Sequence, residues 1–208
     1  MSIRMGVGCM VERVTALAEV EGAQHRHADL VLRELAVAGS WLVWSVSPAA
    51  NDALRAPLER IGMGMLPAEP GAAQRTTGTL VATIGSGRWL LITTDEADAE
   101  ALQGALAPGM AIECRCQRAW LRLEGRSAAR FLDRRLALDL QGGDLPPGRA
   151  AATRLGQVDV LVHARPEGGY DLLPARSFAA ALAETLQDAA VAEGDRLAIV
   201  PVGQGIGV

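Results

Sequence analysis

From Trp120 to Val200, short apolar runs with strand periodicity alternate with stretches of helical periodicity, and a turn residue marks nearly every change. That order limits the fold more than any other feature of the chain. Trp120, Leu121 and Leu123 form a strand-like run that stops at Gly125, and Ser127 stands where a helix N-cap is expected. Ala128, Phe131, Leu132 and Leu136 then recur at helical spacing, with Arg130, Arg134 and Arg135 turned away. A link rich in Gly and Pro at 142–148 leads into a strand at 155–162, where Val158, Val160 and Val162 alternate with Gln157, Asp159 and Leu161. Residues 165–169 make a tight reversal, so the run 170–173 pairs with the preceding strand as a hairpin. Ser177 is expected to cap a second helix whose inward stripe is Phe178, Ala181, Leu182, Thr185, Leu186 and Ala189, and 196–200 supplies a last strand.

In order this is β-α-β-β-α-β, the split arrangement in which helices cover one face of an antiparallel sheet. The first half repeats it more faintly, with a strand at 41–46, a helix at 49–61 disturbed by Pro57, a hairpin of 79–84 and 89–93 around Gly85, Ser86 and Gly87, and a helix at 97–106. Residues 112–118 close that unit, and 30–35 is an extra strand. The expected fold is α+β with two ferredoxin-like (β-α-β-β-α-β) lobes. The expected division is an N-terminal arm at 1–28, a first lobe at 29–118, a second lobe at 119–201 and a tail at 202–208.

A chain of 208 residues, 50% hydrophobic and 21% charged, is globular in composition and long enough to bury a sizeable core. Its net charge of -4 gives no basic field for a phosphate backbone, so no nucleic-acid partner is expected. The split topology is also that of an RNA-recognition motif, but the aromatics are spread along the chain without that motif's paired strand positions. All 20 basic residues are Arg, which excludes a lysine Schiff base and a P-loop lysine. The cysteines Cys9, Cys114 and Cys116 are too few for a disulfide framework and imply a reducing compartment. No run reaches the roughly 18 apolar residues of a membrane span, and Glu12 and Arg13 interrupt any signal-like start. A cytoplasmic protein with no membrane partner is expected.

Cys114 and Cys116 share one strand face, and His25 and His27 share the same spacing, which can seed a metal site where other ligands converge. No second cysteine pair follows, so small core thiols and a polar approach segment are the plainer reading. The glycine-rich spots at Gly62, Met63, Gly64 and Met65 and at Gly203, Gln204, Gly205, Ile206 and Gly207 lack the strand, helix and acidic residue of a dinucleotide fingerprint. Asp139, Asp144, Asp159 and Asp171 lie on different elements, so spacing yields no general acid/base pair, and nothing places a nucleophile beside His163. Ser177 is a cap rather than a nucleophile, because it lacks the glycines of a nucleophile elbow. Arg118, Arg122, Arg149 and Arg154 read as a solvated face or as docking charges. The residues therefore assign no catalytic, cofactor-binding or metal position to this chain.

Three stretches of the second half resemble the gamma subunit of heterotetrameric sarcosine oxidase, a relative of the folate-binding aminomethyltransferase fold. They are Leu138-Asp139-Leu140; Pro147-Gly148 followed by Thr153-Arg154-Leu155; and Asp171-Leu172-Leu173 running into Arg176-Ser177-Phe178-Ala179. Leu66-Pro67 and Trp89-Leu90-Leu91 are fainter echoes, so the likeness spans about residues 30–192. The resemblance implies an aminomethyltransferase-like fold without a working site, bracing alpha, beta and delta subunits that carry FAD, FMN, NAD, tetrahydrofolate and zinc. It also implies oxidation of an N-methyl or other secondary amino acid by the complex. The rival is a stand-alone folate-binding protein of the aminomethyltransferase class.

Overall fold

A computed structural model describes residues 15–17, 20, 28–44, 55, 56, 58–106, 111–114 and 117–203. The first half contains β1 (Leu30–Leu35), β2 (Gly39–Trp44), β3 (Ala73–Arg75), β4 (Thr79–Gly85), β5 (Arg88–Thr93), α1 (Glu96–Ala105) and β6 (Ala111–Glu113). The second contains β7 (Trp120–Glu124), α2 (Ala128–Asp133), β8 (Ala150–Leu155), β9 (Val158–Ala164), β10 (Tyr170–Pro174), α3 (Ala179–Glu193) and β11 (Leu197–Val200).

The strands form two sheets, in the orders β3-β4-β5-β2-β6 and β8-β9-β10-β7-β1-β11. Without β1, the two orders match position for position. Each half runs strand, helical residues, three strands, helix, strand, so the faint internal repeat of the sequence is a repeat of the fold. The four-stranded ferredoxin-like lobe expected from the sequence is not what forms. Each unit carries one strand more, β3 or β8, and the strand expected at 155–162 breaks at Gly156 into β8 and β9. The Ala150-Ala151-Ala152 start of β8 has little strand preference, so no local pattern in the sequence marks it.

The extra strand β1 crosses from the first half into the second sheet. It pairs parallel with β11, Leu30 opposite Leu197, and antiparallel with β7, Leu35 opposite Trp120. Alternation explains the placement, because Leu30 and Leu32 are fully buried in one core with Leu121, Leu123 and Ile199. Gly125 allows the close approach: at φ +132, a Cβ there would lie 2.2 Å from the Asp29 carbonyl oxygen. Glu34 on the same strand accepts the backbone N–H groups of Ala16 and Leu17 at 2.8 and 3.1 Å, and Leu17 is fully buried. The rest of the expected arm, with Cys9, His25 and His27, and the tail from 204 onward lie outside the described residues.

Helices take the two outer layers. Phe131, Leu132, Leu182 and Leu186 pack on Leu121, Val162 and Leu172 of the six-stranded sheet, while Ala99 and Leu102 pack on Trp41, Val43 and Leu91 of the five-stranded one. Between the sheets, Leu80, Ala82, Leu90 and Ile92 meet Trp120, Ala150, Leu161 and Leu173. The backbone joins the sheets at one corner through an Ala72–Arg149 bridge, where the Ala150 N–H donates to Gly71 O at 2.8 Å.

Two helix starts differ from expectation. Ser127 sits at the N-cap of α2 but makes no capping bond, and its hydroxyl is buried without a hydrogen-bond partner. Ser177 lies inside a 3₁₀ turn, Arg176–Phe178, and α3 begins after it. Leu182 and Leu186 are buried as expected, joined by Ala179, Ala183 and Ala190, while Phe178, on the turn, is 54% exposed. Among the described residues no helix is long and apolar enough to cross a membrane.

A fragment beginning at residue 119 would lack β1 and the covering sheet, leaving β11 unpaired and Trp120, Leu161 and Leu173 exposed. It is expected to bind a hydrophobic dye strongly and to show no cooperative thermal transition, whereas the full chain stays dye-silent with a single transition. Dye fluorescence and calorimetry on both would check this.

Candidate functional site

On the face that looks toward the five-stranded sheet, one row of directly opposed residues runs Arg33, Arg122, Asp171, His163 and Ala150 across β1, β7, β10, β9 and β8. Opposed residues share a face. Asp171 is completely buried. Its Oδ1 accepts from Arg122 Nε at 3.0 Å, and its Oδ2 lies 3.2 Å from His163 Nδ1 and 3.6 Å from Arg75 Nε. A carboxylate only accepts, so His163 carries the proton on Nδ1 in this pair. Arg75 arrives from the other sheet, at the end of β3.

The hairpin between β9 and β10 extends the cluster. Gly169 fixes its position, since φ is +78 there and a Cβ would stand 2.7 Å from Leu123 O. Arg165 donates to Glu124 at 2.5 Å and, through Nη2, to Glu167 at 2.8 Å, while Arg75 also pairs with Glu167. An open cleft of about 540 Å³ runs beside these groups, lined by Arg75, Thr76, Thr77, Arg122, His163 and Arg165 among others.

Burial pushes the Asp171 carboxyl up, but His163, Trp120 and Arg122 outweigh it and hold the group below its usual range. The Trp120 indole N–H acts there through proximity, for it makes no hydrogen bond of normal geometry. For Glu167, burial again raises the value. Its own backbone N–H, Arg165 and Arg75 overcome that and bring it from 4.5 to about 2. Burial lowers the Arg165 value, and the bonds to Glu124 and Glu167 raise it by more.

A buried His–Asp pair is half of a nucleophile-activating array, but among the described residues no hydroxyl or thiol hydrogen-bonds to His163. The Asp171 charge is instead spent on two guanidinium groups. The arrangement can clamp the sheets together and hold an anion.

The structure thus brings together Asp171, His163 and Arg122, which the sequence left scattered. The missed signal was the hairpin itself: a reversal centred on 165–169 places 163 opposite 171. The other aspartates remain apart, Asp139 and Asp144 holding the backbone of their own loop and Asp159 pairing with Arg154 at 3.3 Å on the surface. Of the arginines read as solvated or docking charges, Arg118 donates to Leu173 O at 2.8 Å and Arg149 to Glu69 and Pro70, so these are intramolecular struts. Buried Cys114 lies 3.3 Å from the Ser40 hydroxyl, while Cys116 is outside the described residues. Among the described residues no cluster of His, Cys, Asp or Glu is placed to hold a metal.

Replacing Asp171 by Ala would strand Arg122 and His163 in the interior, and is expected to cost about 3–5 kcal/mol of stability in urea denaturation. Both depressed carboxyls also make the folded chain hold fewer protons in acid than the unfolded one. The stabilisation from each is complete above the ordinary carboxyl range and is lost in acid; for Glu167 the loss runs as pH falls from 4.5 toward about 2, damped by its exposure to solvent. The Glu167→Gln variant should therefore lose less melting temperature than wild type across that window.

No family model matches the chain. A chain of the heterotetrameric sarcosine oxidase from Corynebacterium sp. U-96 superposes with a TM-score of 0.72 at 28% identity, over 86% of this chain and 95% of that one. The glycine cleavage system aminomethyltransferase T from Bartonella henselae shares the fold, with a TM-score of 0.58 at 18% identity over 85% of this chain and 49% of that one. The sarcosine oxidase subunit gamma of Corynebacterium sp. (strain U-96) is 32% identical over 165 residues, 77% of this chain and 77% of that protein. By that identity over that span, the chain belongs to the sarcosine oxidase gamma-subunit family.

Proposed function

We propose that this chain is the non-catalytic, structural gamma subunit of a sarcosine-oxidase-like heterotetramer. The complex oxidises an N-methyl or other secondary amino acid, and one-carbon transfer to tetrahydrofolate takes place in a partner subunit. Alpha, beta and delta partners carry FAD, FMN, NAD, the folate and zinc, and the complex works in the cytoplasm. Within the chain, the lobes divide near residue 118, with β1 lent to the second.

The observation that carries this reading is the agreement with a known gamma chain at 32% identity over most of both proteins. The chemistry is in keeping with it. Asp171, Glu167, Arg122 and Arg165, the charged groups a catalyst would use, are engaged with one another. A body whose sheets cover each other's inner faces arrives at its neighbour already folded, as a brace must.

Co-expression with the chains encoded beside it and capture through a tag on this one is the test. The expected result is co-elution of three further chains, with flavin colour and sarcosine oxidation that fall away when this chain is omitted. Flavin bound to the isolated chain, amine turnover by it, or a three-chain complex of full activity and stability without it would overturn the reading.

A further inference from the structure

The guanidinium groups of Arg75 and Arg165 come from opposite sheets and converge on a single oxygen. Arg75 Nη1, Arg165 Nη2 at 2.8 Å and Arg165 Nε at 3.2 Å all donate to Oε1 of Glu167. The two cationic side chains are 11% and 9% exposed, but Glu167 is 47% exposed and rides on the hairpin turn. An arginine fork holds a carboxylate best when both carboxylate oxygens are engaged. Here a buried cradle holds an anion by one oxygen from its solvent side. The cradle is also incompletely used, for Arg75 Nε is buried without a hydrogen bond, 3.6 Å from Asp171.

We propose that the cleft at the hairpin is a carboxylate-binding site, and that Glu167 is its resident occupant, displaced when an external carboxylate enters. The occupant defines the class of ligand: planar, singly charged at the cradle, and able to take a guanidinium fork edge-on. The space beside it, about 540 Å³, exceeds what one carboxylate fills and lies in the range of small-molecule sites. Thr76, Thr77 and His163 give it a polar wall, so the ligand is a small polar carboxylic acid rather than a fatty one.

The test is calorimetric titration of the full chain with malonate, against sodium chloride at matched ionic strength. Wild type should bind weakly, because Glu167 competes. Glu167→Ala and the near-isosteric Glu167→Gln should each tighten malonate binding by about tenfold or more, and Arg75→Gln added to either should abolish the gain. Glu193→Ala is the control for bare charge. It removes the same charge and uncovers Arg134 and Arg135 elsewhere, and should leave the affinity at the wild-type value. Absence of saturable heat in both Glu167 variants, or an equal gain in Glu193→Ala, would refute the site. On wild-type protein, independent of any variant's folding, malonate should shift the Nε–H resonances of Arg75 and Arg165. Unmoved resonances at saturating probe would count equally against it.

Discussion

Both sheets are apolar on both faces, and the rest of the structure follows from the need to cover four faces with one chain. In β4 and β5 the apolar residues run consecutively: Val81 and Leu91 face α1, while Leu80, Ala82, Leu90 and Ile92 face the other sheet. Such strands cannot present one side to water at a tolerable cost. Helices cover the outer faces, and each sheet covers the inner face of the other. The order helix, sheet, sheet, helix is the arrangement in which a repeated β-α-β-β-β-α-β unit closes on itself. Among the described residues the exposed large hydrophobics, Met65, Ile112, Phe178 and Val191, lie apart on separate segments.

The ion cluster occupies the part of the inner face where apolar cover runs out. β3 has only three residues and ends at Arg75, so beyond it the row Arg122, Asp171, His163 meets a guanidinium instead of a packed side chain. Buried ion pairs are poor sources of net stability, because desolvation consumes most of the Coulombic gain. Their value here is registration. Asp171 stands opposite Arg122 on one side and His163 on the other, and a slip of one residue would thrust its carboxylate into the helix-side core among Leu121, Val162 and Leu172. The misaligned alternative is penalised far more than the correct one is rewarded.

Much of this was legible in the sequence, and what was not has identifiable causes. The β9–β10 hairpin, the β4–β5 hairpin and α1 fell close to where period and turn residues put them. β8 did not, because three alanines in a row signal neither strand nor helix, and β3 is too short to show a period. In α3, Leu182 and Leu186 face inward as their spacing predicts, but Phe178, Ala181 and Thr185 do not, because Ser177 lies in a 3₁₀ turn rather than at the cap and Ala179, Ala183 and Ala190 complete the buried stripe. The partnership of β1 with β7 and β11 spans more than 160 residues in the case of Leu30 and Leu197, and no local pattern encodes a pairing at that separation. The charge cluster was half legible: hairpin symmetry pairs His163 with Asp171, but Arg75 joins them only because the sheets meet at the Ala72–Arg149 corner.

β1 also breaks the symmetry of the repeat. In the first unit the closing strand β6 pairs directly with its opening strand β2, and it is short and largely exposed. In the second unit β7 and β11 never touch as neighbours, for β1 lies between them, and all of β11 is buried. The first unit can thus be drawn as a closed sheet of its own, while the second cannot form without a strand made nearly ninety residues before it begins. Glu34 lengthens the tie by holding Ala16 and Leu17 against that same strand. Two copies of one supersecondary unit, which could have been independently stable lobes joined by a linker, become one cooperative body. Relative motion of the lobes would have to open the core between the sheets, where Leu80, Leu90 and Ile92 meet Trp120, Leu161 and Leu173, and break the Ala72–Arg149 corner.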